Sequence, residues 1–127
     1  MGTRPPFRMT EQAYLVLLAL TPEPLHGYAV ITAVKELSAG RTVLAAATLY
    51  GNLDRLVAAG MVEAAGESVV DGRLRRYYRV TDDGRRAADE ETERLAALAA
   101  RARATLARPS ARGGRTAIAG GLAGGVA

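Results

Sequence analysis

The chain has 127 residues, enough for one domain with a hydrophobic core and short extensions. It contains no cysteine and one histidine, which excludes disulfides, thiol nucleophiles and metal sites built on cysteines or on a histidine pair from one chain. All but one of its 17 basic residues are arginine, and six arginines fall between positions 70 and 86, which indicates a polyanionic partner. No nucleophile–base constellation indicates an enzyme, and no cofactor is expected. Without a long apolar run or a signal-like start, the expected location is the cytoplasm.

The first helix is predicted to follow an irregular arm, residues 1–9. Thr10 is a favourable N-cap, and residues 14–20 are all apolar. A helix that is apolar on every side must be buried on more than one side. Two interpretations are open: a second subunit covers one side, or the domain wraps the helix itself. In the first case the dimer interface includes Tyr14, Leu17 and Leu18.

Two further helices are predicted after a break at Pro22 and Pro24. The second covers about residues 26–38, and the third runs from about Ala45 to Ala59, with Gly60 just beyond its end. Two helices joined by a short turn that contains glycine form a candidate helix-turn-helix. The single histidine, at the start of the second helix, is interpreted as a capping or packing residue.

A β-hairpin is predicted next, because Asp71-Gly72 is a strong two-residue turn signal between two short strands. In the register that this turn sets, Glu67 faces and neutralises Arg76, and Ala65 faces Tyr78. One face then carries Arg73, Arg75, Tyr77 and Arg79, which suits contact with phosphates or a minor groove. The alternative is that these charges only protect the hairpin from edge-to-edge aggregation.

The last predicted helix covers residues 82–107, and a Gly/Ala-rich segment over residues 108–127 is typical of a flexible tail. Thr81 and the two aspartates after it form the predicted helix start. Apolar and small residues recur in a heptad pattern, which favours dimerisation along one seam. The residues expected at that seam are Leu95, Leu98, Ala102 and Leu106.

Three motifs in this order resemble the PadR-type transcriptional regulators. Leu25-His26-Gly27-Tyr28 is similar to the start of that family's second helix, residues 48–62 (TLYGNLDRLVAAGMV) to its recognition helix, and residues 75–84 (RRYYRVTDDG) to its wing-to-helix junction. The resemblance implies a mainly α fold with a two-stranded β wing: a winged helix-turn-helix domain over residues 10–81 and a single long C-terminal dimerisation helix. It also implies a DNA-binding homodimer, usually a repressor. This chain departs from the pattern at residues 45–47, three alanines where the family has a capping residue, and it lacks the tryptophan with which some relatives bind aromatic drugs.

The third helix supplies the base-reading candidates. At about 100° per residue, Thr48, Gly51 and Arg55 lie opposite Leu53, with Asn52 on one flank and a tyrosine to the side. Such side chains reach base edges or phosphates, whereas the alternative is an ordinary solvated face. Together with the start of the second helix and the wing, the candidate DNA-binding residues are Tyr28, Thr48, Tyr50, Gly51, Asn52, Arg55, Arg73, Arg75, Arg76, Tyr77 and Arg79.

The sequence therefore predicts a homodimeric regulator that binds double-stranded DNA and acts as a repressor on a palindromic operator. A small-molecule effector of unknown identity that releases the DNA would be an addition to this interpretation. The rival interpretation is a winged-helix module that binds proteins and no longer binds DNA. A sequence preference among duplexes separates the two, because only a DNA reader discriminates between them.

Overall fold

The computed structural model describes residues 7–110, so most of the expected arm and nearly all of the expected tail lie outside the described residues. The chain divides into two units, with the boundary between Glu91 and Thr92. The elements, in chain order, are α1 (Glu11–Leu20), β1 (Leu25–His26), α2 (Gly27–Leu37), α3 (Ala46–Ala58), β2 (Val62–Val70), β3 (Arg73–Val80) and α4 (Asp82–Ala107). The helices that the sequence predicts are present, with bounds that differ by at most one or two residues.

The helix ends follow the local chemistry of the sequence. The Thr10 hydroxyl accepts a hydrogen bond from the Ala13 amide at 3.1 Å and caps α1. Ala45, the N-cap residue of α3, provides no side-chain cap, as the three alanines at residues 45–47 predict. Gly60, just beyond the C-cap residue Ala59, has a φ of +76°, which lets the next amide, that of Met61, return to the Leu56 carbonyl at 2.9 Å.

The core of the first unit is built around α1, which packs against α2, α3 and β3. Leu17 has no exposed surface, so the expectation that it forms part of a dimer interface is wrong. The chain's own helices cover it, and the all-round apolar character of α1 reflects an interior helix. Tyr14 and Leu18 are half-buried. The largest fully buried side chains are Leu17, Leu20, Leu49, Leu53, Leu56, Val16, Val30, Val34, Val62 and Asn52.

The sheet has three strands in the order β1-β3-β2, one more than the two-stranded wing that the sequence predicts. The additional strand is the two-residue β1, in which Leu25 pairs with Tyr78 and His26 with Tyr77. The expected two-residue turn is present, with φ of 51° at Asp71 and 76° at Gly72. Two consecutive positive φ values are typical of the hairpin turn whose twist matches that of the strands.

The predicted register holds near the hairpin turn and fails farther from it. Glu67 lies opposite Arg76 as expected, but Tyr78 lies opposite Ala64 instead of Ala65. A bulge separates the two regions: β2 contributes one more residue than β3, and Gly66 within it has a φ of +98°. The side chains of β3 still alternate between the two faces of the sheet along the whole strand. The bulge therefore changes only which β2 residues lie on the same face as the arginines.

The start of α4 belongs to the first unit and is fixed by Thr81. Its hydroxyl donates to the Gly60 carbonyl at 2.7 Å and accepts from the Gly84 amide at 3.0 Å, which joins the end of α3 to the start of α4. A Cβ at Gly84 would lie 2.1 Å from the Met61 carbonyl oxygen, so only glycine permits this approach.

In the second unit, the part of α4 after Glu91 presents apolar side chains to solvent: the exposed fraction is 36% at Leu95, 47% at Leu98 and 83% at Leu106. Ala102 is exposed as well. Within residues 7–110, no helix is both long and apolar enough to cross a membrane.

Candidate nucleic-acid interface

The face of α3 that points away from the core carries small side chains along its middle and polar side chains along its edges. Leu49, Leu53 and Leu56 form the buried side. At about 100° per residue, the opposite side is lined by three small residues, with Asp54 and Arg55 at similar angles to its left and right. The three small residues are Ala47, Gly51 and Ala58. Thr48, Asp54 and Arg55 are exposed, and Tyr50 keeps 45% of its surface exposed.

Tyr50 is held against the start of α2. A Cβ built on Gly27 would lie 2.4 Å from the Tyr50 hydroxyl oxygen and 2.9 Å from Cζ, so the ring occupies the space that any larger residue would need. Gly27 is the first residue of α2, and Tyr28, which follows it, is 66% exposed. The two tyrosines therefore lie close to the N-terminal end of α2, where backbone N–H groups favour a phosphate.

Asn52 does not occupy the place that the sequence pattern predicts. It is 1% exposed, so it does not point outward for contact with a base. Its Nδ2 group donates to the Thr48 carbonyl at 3.0 Å and to Gln12 Oε1 at 3.4 Å. Gln12 lies on α1 and covers the flank of α3 that periodicity leaves open. Asn52 is thus an internal bridge between two helices.

Arg55 is oriented by that bridge. Its Nη2 donates to Asn52 Oδ1 at 3.2 Å, and its Nη1 would lie 3.7 Å from a Cβ on Gly51. The guanidinium therefore folds back along α3 above Gly51, on the outward face. A planar fork held in one direction is suited to two parallel hydrogen bonds to one acceptor group.

The arginines of the wing region fall into two groups. Arg76 lies 3.6 Å from the Glu67 carboxylate, and Arg79 lies 2.7 Å from that of Glu63. These exposed ion pairs reduce the positive field that the composition predicts, although such pairs are weak enough to exchange one anion for another. Arg73 is exposed and has no ion-pair partner within residues 7–110.

Arg75 and Tyr77 lie on the same face of β3 and are half-buried. The Arg75 Nε is buried and has no hydrogen-bond partner among the described residues. The Tyr77 and His26 rings pack nearly perpendicular to each other, with 5.5 Å between ring centroids, and the Tyr77 hydroxyl accepts a hydrogen bond from Ser68 Oγ at 3.2 Å. His26 in turn caps α2 through Nδ1, which fits its interpretation as a capping and packing residue.

The structure brings most of the predicted residues onto two surfaces of the first unit, the α2–α3 surface and the β3 face. Three features were not predicted from the sequence: the Tyr50 contact that requires glycine at Gly27, the hydrogen bond between Asn52 and Gln12, and the exposed position of Asp54. With Leu53 taken as inward, the helical-wheel arithmetic that selected Arg55 places Asp54 about 100° from Leu53, on the flank opposite Asn52, and so does not select it. Nothing local could have found Gln12, because it lies 40 residues from its partner Asn52.

Other proteins are similar to this chain in sequence or in fold. The chain is 37% identical over 94 residues to an uncharacterized 37.1 kDa protein in transposon TN4556 of Streptomyces fradiae, in a match that covers 74% of this chain and 26% of that protein. The chain thus spans about a quarter of that relative's length. Two solved structures share the fold at 20% identity: a PadR-like transcriptional regulator from Bacillus cereus (TM-score 0.65, 77% of this chain and 93% of that one) and Bacillus subtilis PadR in complex with operator DNA (TM-score 0.56, 64% and 46%).

The family comparison covers more than half of the chain. Residues 16–90 match the transcriptional regulator PadR-like family. The matched segment extends from α1 through the first turns of α4, so it includes both surfaces described above. The chain therefore belongs to the PadR-like family of transcriptional regulators.

Proposed function

We propose that this chain is a sequence-specific DNA-binding regulator that acts as a homodimeric repressor, with α3 in the major groove and the wing beside it. The observation that carries this proposal is the outward face of α3, where Arg55 is oriented above Gly51. Three small residues let the backbone approach base edges, and the side chains at their edges are of the types that read bases or hold phosphates.

The wing adds contacts that do not depend on sequence. The exposed Arg73 side chain is a donor for phosphate oxygens, and Arg75 lies on the same face of β3. Arg76 and Arg79 join them when DNA phosphates replace their carboxylate partners. From two subunits, about 6–10 phosphate contacts give a slope of log K against log salt of about −5 to −9.

Dimerisation is proposed to involve α4. Its leucines beyond Glu91 are exposed in the single chain, and Leu95, Leu98 and Ala102 lie at helical spacing. A second copy of α4 would cover them. Two-fold symmetry then predicts a palindromic operator whose half-sites are about one helical turn, or 10 bp, apart.

We also propose that a small-molecule effector releases the DNA. An open groove of about 450 Å³ follows the end of α1 and one side of α2, and Tyr28 and His26 line it. A ligand in this groove would contact residues next to the α2–α3 surface. It would therefore couple to DNA binding if it shifted Tyr28.

The proposal is tested by selecting bound duplexes from a randomised pool with the purified full-length chain. The selected sequence and a scrambled duplex are then titrated at two salt concentrations. We expect a palindromic consensus and a preference of about 10³-fold or more over the scrambled duplex. Equal binding of both duplexes would mean that only the backbone is recognised. The absence of binding by a folded dimer would favour the protein-interaction module.

Replacing Gly51 with alanine is expected to stabilise the chain and to weaken operator binding. A Cβ at this position meets nothing closer than Arg55 Nη1 at 3.7 Å, so alanine fits, and it raises the free energy of unfolding by about 1 kcal/mol. The same methyl group separates the backbone from the bases, and we expect the affinity for the operator to fall about tenfold. Urea unfolding and operator titration measure the two effects. Gly27→Ala is the contrasting variant, because its methyl group would displace the Tyr50 ring from the start of α2.

A further inference from the structure

Asp54 is the only acidic residue of α3, and it lies on the outward face. It is exposed, and it forms no hydrogen bond or ion pair within residues 7–110. The positions three and four residues away on the helix surface, where a cation would pair with it, carry Tyr50, Gly51, Val57 and Ala58. Neither a capping role nor a helix-surface ion pair therefore accounts for this carboxylate.

Asp54 shares the outward face of α3 with Arg55. Asp54 and Arg55 stand at similar angles on opposite sides of the small residues, about 100° apart around the helix. When the small residues approach a major groove, the carboxylate and the guanidinium both reach the groove floor. A carboxylate that meets only phosphates is repelled, whereas a carboxylate that meets an amino group of a base accepts a hydrogen bond.

The major groove offers that donor most directly at cytosine. Acidic side chains accept from the cytosine N4 amino group, while arginine forms a pair of hydrogen bonds with guanine O6 and N7. We infer that Asp54 is a specificity-determining residue that accepts from cytosine N4 and fixes one base of each half-site, beside the guanine bound by Arg55. This inference rests on the proposed function, since it assumes that α3 lies in the major groove.

The test is the same selection from randomised duplexes, with the full-length wild-type chain, the Asp54→Asn variant and the Asp71→Asn variant. The wild-type consensus is expected to hold a cytosine at one position per half-site. Asp54→Asn is expected to exchange this cytosine for adenine, because a carboxamide pairs with adenine N6 and N7, with a shift of about tenfold or more in relative affinity. The exposed position of Asp54 predicts an unchanged circular dichroism spectrum and unfolding midpoint.

Asp71→Asn is the matched control. It removes the same charge at the tip of the wing, where the φ of 51° is one that asparagine tolerates. Its consensus is expected to be that of the wild type. If Asp54→Asn selects the wild-type consensus and binds every duplex more tightly by one factor, the carboxylate only repels the backbone and the inference is overturned. If the wild-type chain selects no consensus at all, the proposed function itself fails, and the two failures are thereby distinguished.

Discussion

Replacing Leu17 with alanine is expected to lower the free energy of unfolding by about 2–5 kcal/mol. Leu17 has no exposed surface and lies in the middle of α1, which packs against α2, α3 and β3. The substitution removes buried methyl groups and leaves a cavity that three surrounding elements cannot all move to fill. Urea unfolding, followed by circular dichroism at several protein concentrations, measures the loss as a lower midpoint at an unchanged slope.

Leu98→Ala is the control for this prediction, because it removes the same atoms from a side chain that is 47% exposed on α4. If α4 forms the dimer, this variant weakens self-association in sedimentation or light scattering and leaves the folded core of each chain intact. The opposite pattern would contradict our description of the core. A Leu17→Ala chain that unfolds like the wild type but no longer self-associates would place α1 in the dimer interface.

Leu17 also shows what periodicity leaves undetermined. The seven apolar residues of α1 predict burial on every side, and the structure confirms it for most of them. The pattern does not say whether the covering surface comes from the same chain or from another. That depends on how α2, α3 and β3 are arranged in space, which no local signal contains. The helix bounds were predictable because caps and glycines act within four residues of the chain.

In the sheet, too, some features follow from the local sequence and others depend on tertiary packing. The turn at Asp71-Gly72 fixes the first pairs of the hairpin, and the register near it follows from local chemistry. The shift beyond Glu67 follows from Gly66, whose conformation the sequence permits but does not require. The strand β1 has only two residues, too few for any alternation, and its pairing with β3 is a consequence of tertiary packing.

In the candidate site, the sequence predicted α3 and most of the residues that lie on its outward face. It failed at Asn52, where an angle on the flank of α3 could not distinguish solvent from a neighbouring helix. Gln12 covers that flank, so Asn52 orients Arg55 from inside the protein. The wing arginines and the pairing of Arg76 with Glu67 were predicted, but the pairing of Arg79 with Glu63 lies beyond the bulge and depends on the shifted register.

Replacing Arg55 with alanine is expected to reduce the affinity for the selected operator about 10- to 100-fold, and the affinity for scrambled DNA only a few-fold. A pair of hydrogen bonds between arginine and guanine discriminates by about 1–3 kcal/mol against the wrong base. The fold should survive, because Arg55 is exposed and Asn52 keeps both hydrogen bonds of its Nδ2 group, to the Thr48 carbonyl and to Gln12 Oε1. The buried Asn52 Oδ1 loses its donor, which is expected to lower the free energy of unfolding by about 1–3 kcal/mol. Fluorescence titration of both duplexes at two salt concentrations measures the effect.

Two further variants separate base reading from charge. Arg55→Lys keeps the positive charge but loses the planar fork, so it is expected to retain the salt dependence of the wild type and to lose most of the preference for the operator. Arg73→Ala removes an exposed wing arginine, so it is expected to weaken both duplexes alike and to make the salt slope shallower by about 1 for each phosphate that is no longer neutralised. If Arg55→Ala instead weakened both duplexes equally, Arg55 would bind a phosphate, and the orientation by Asn52 would serve backbone positioning rather than recognition of sequence.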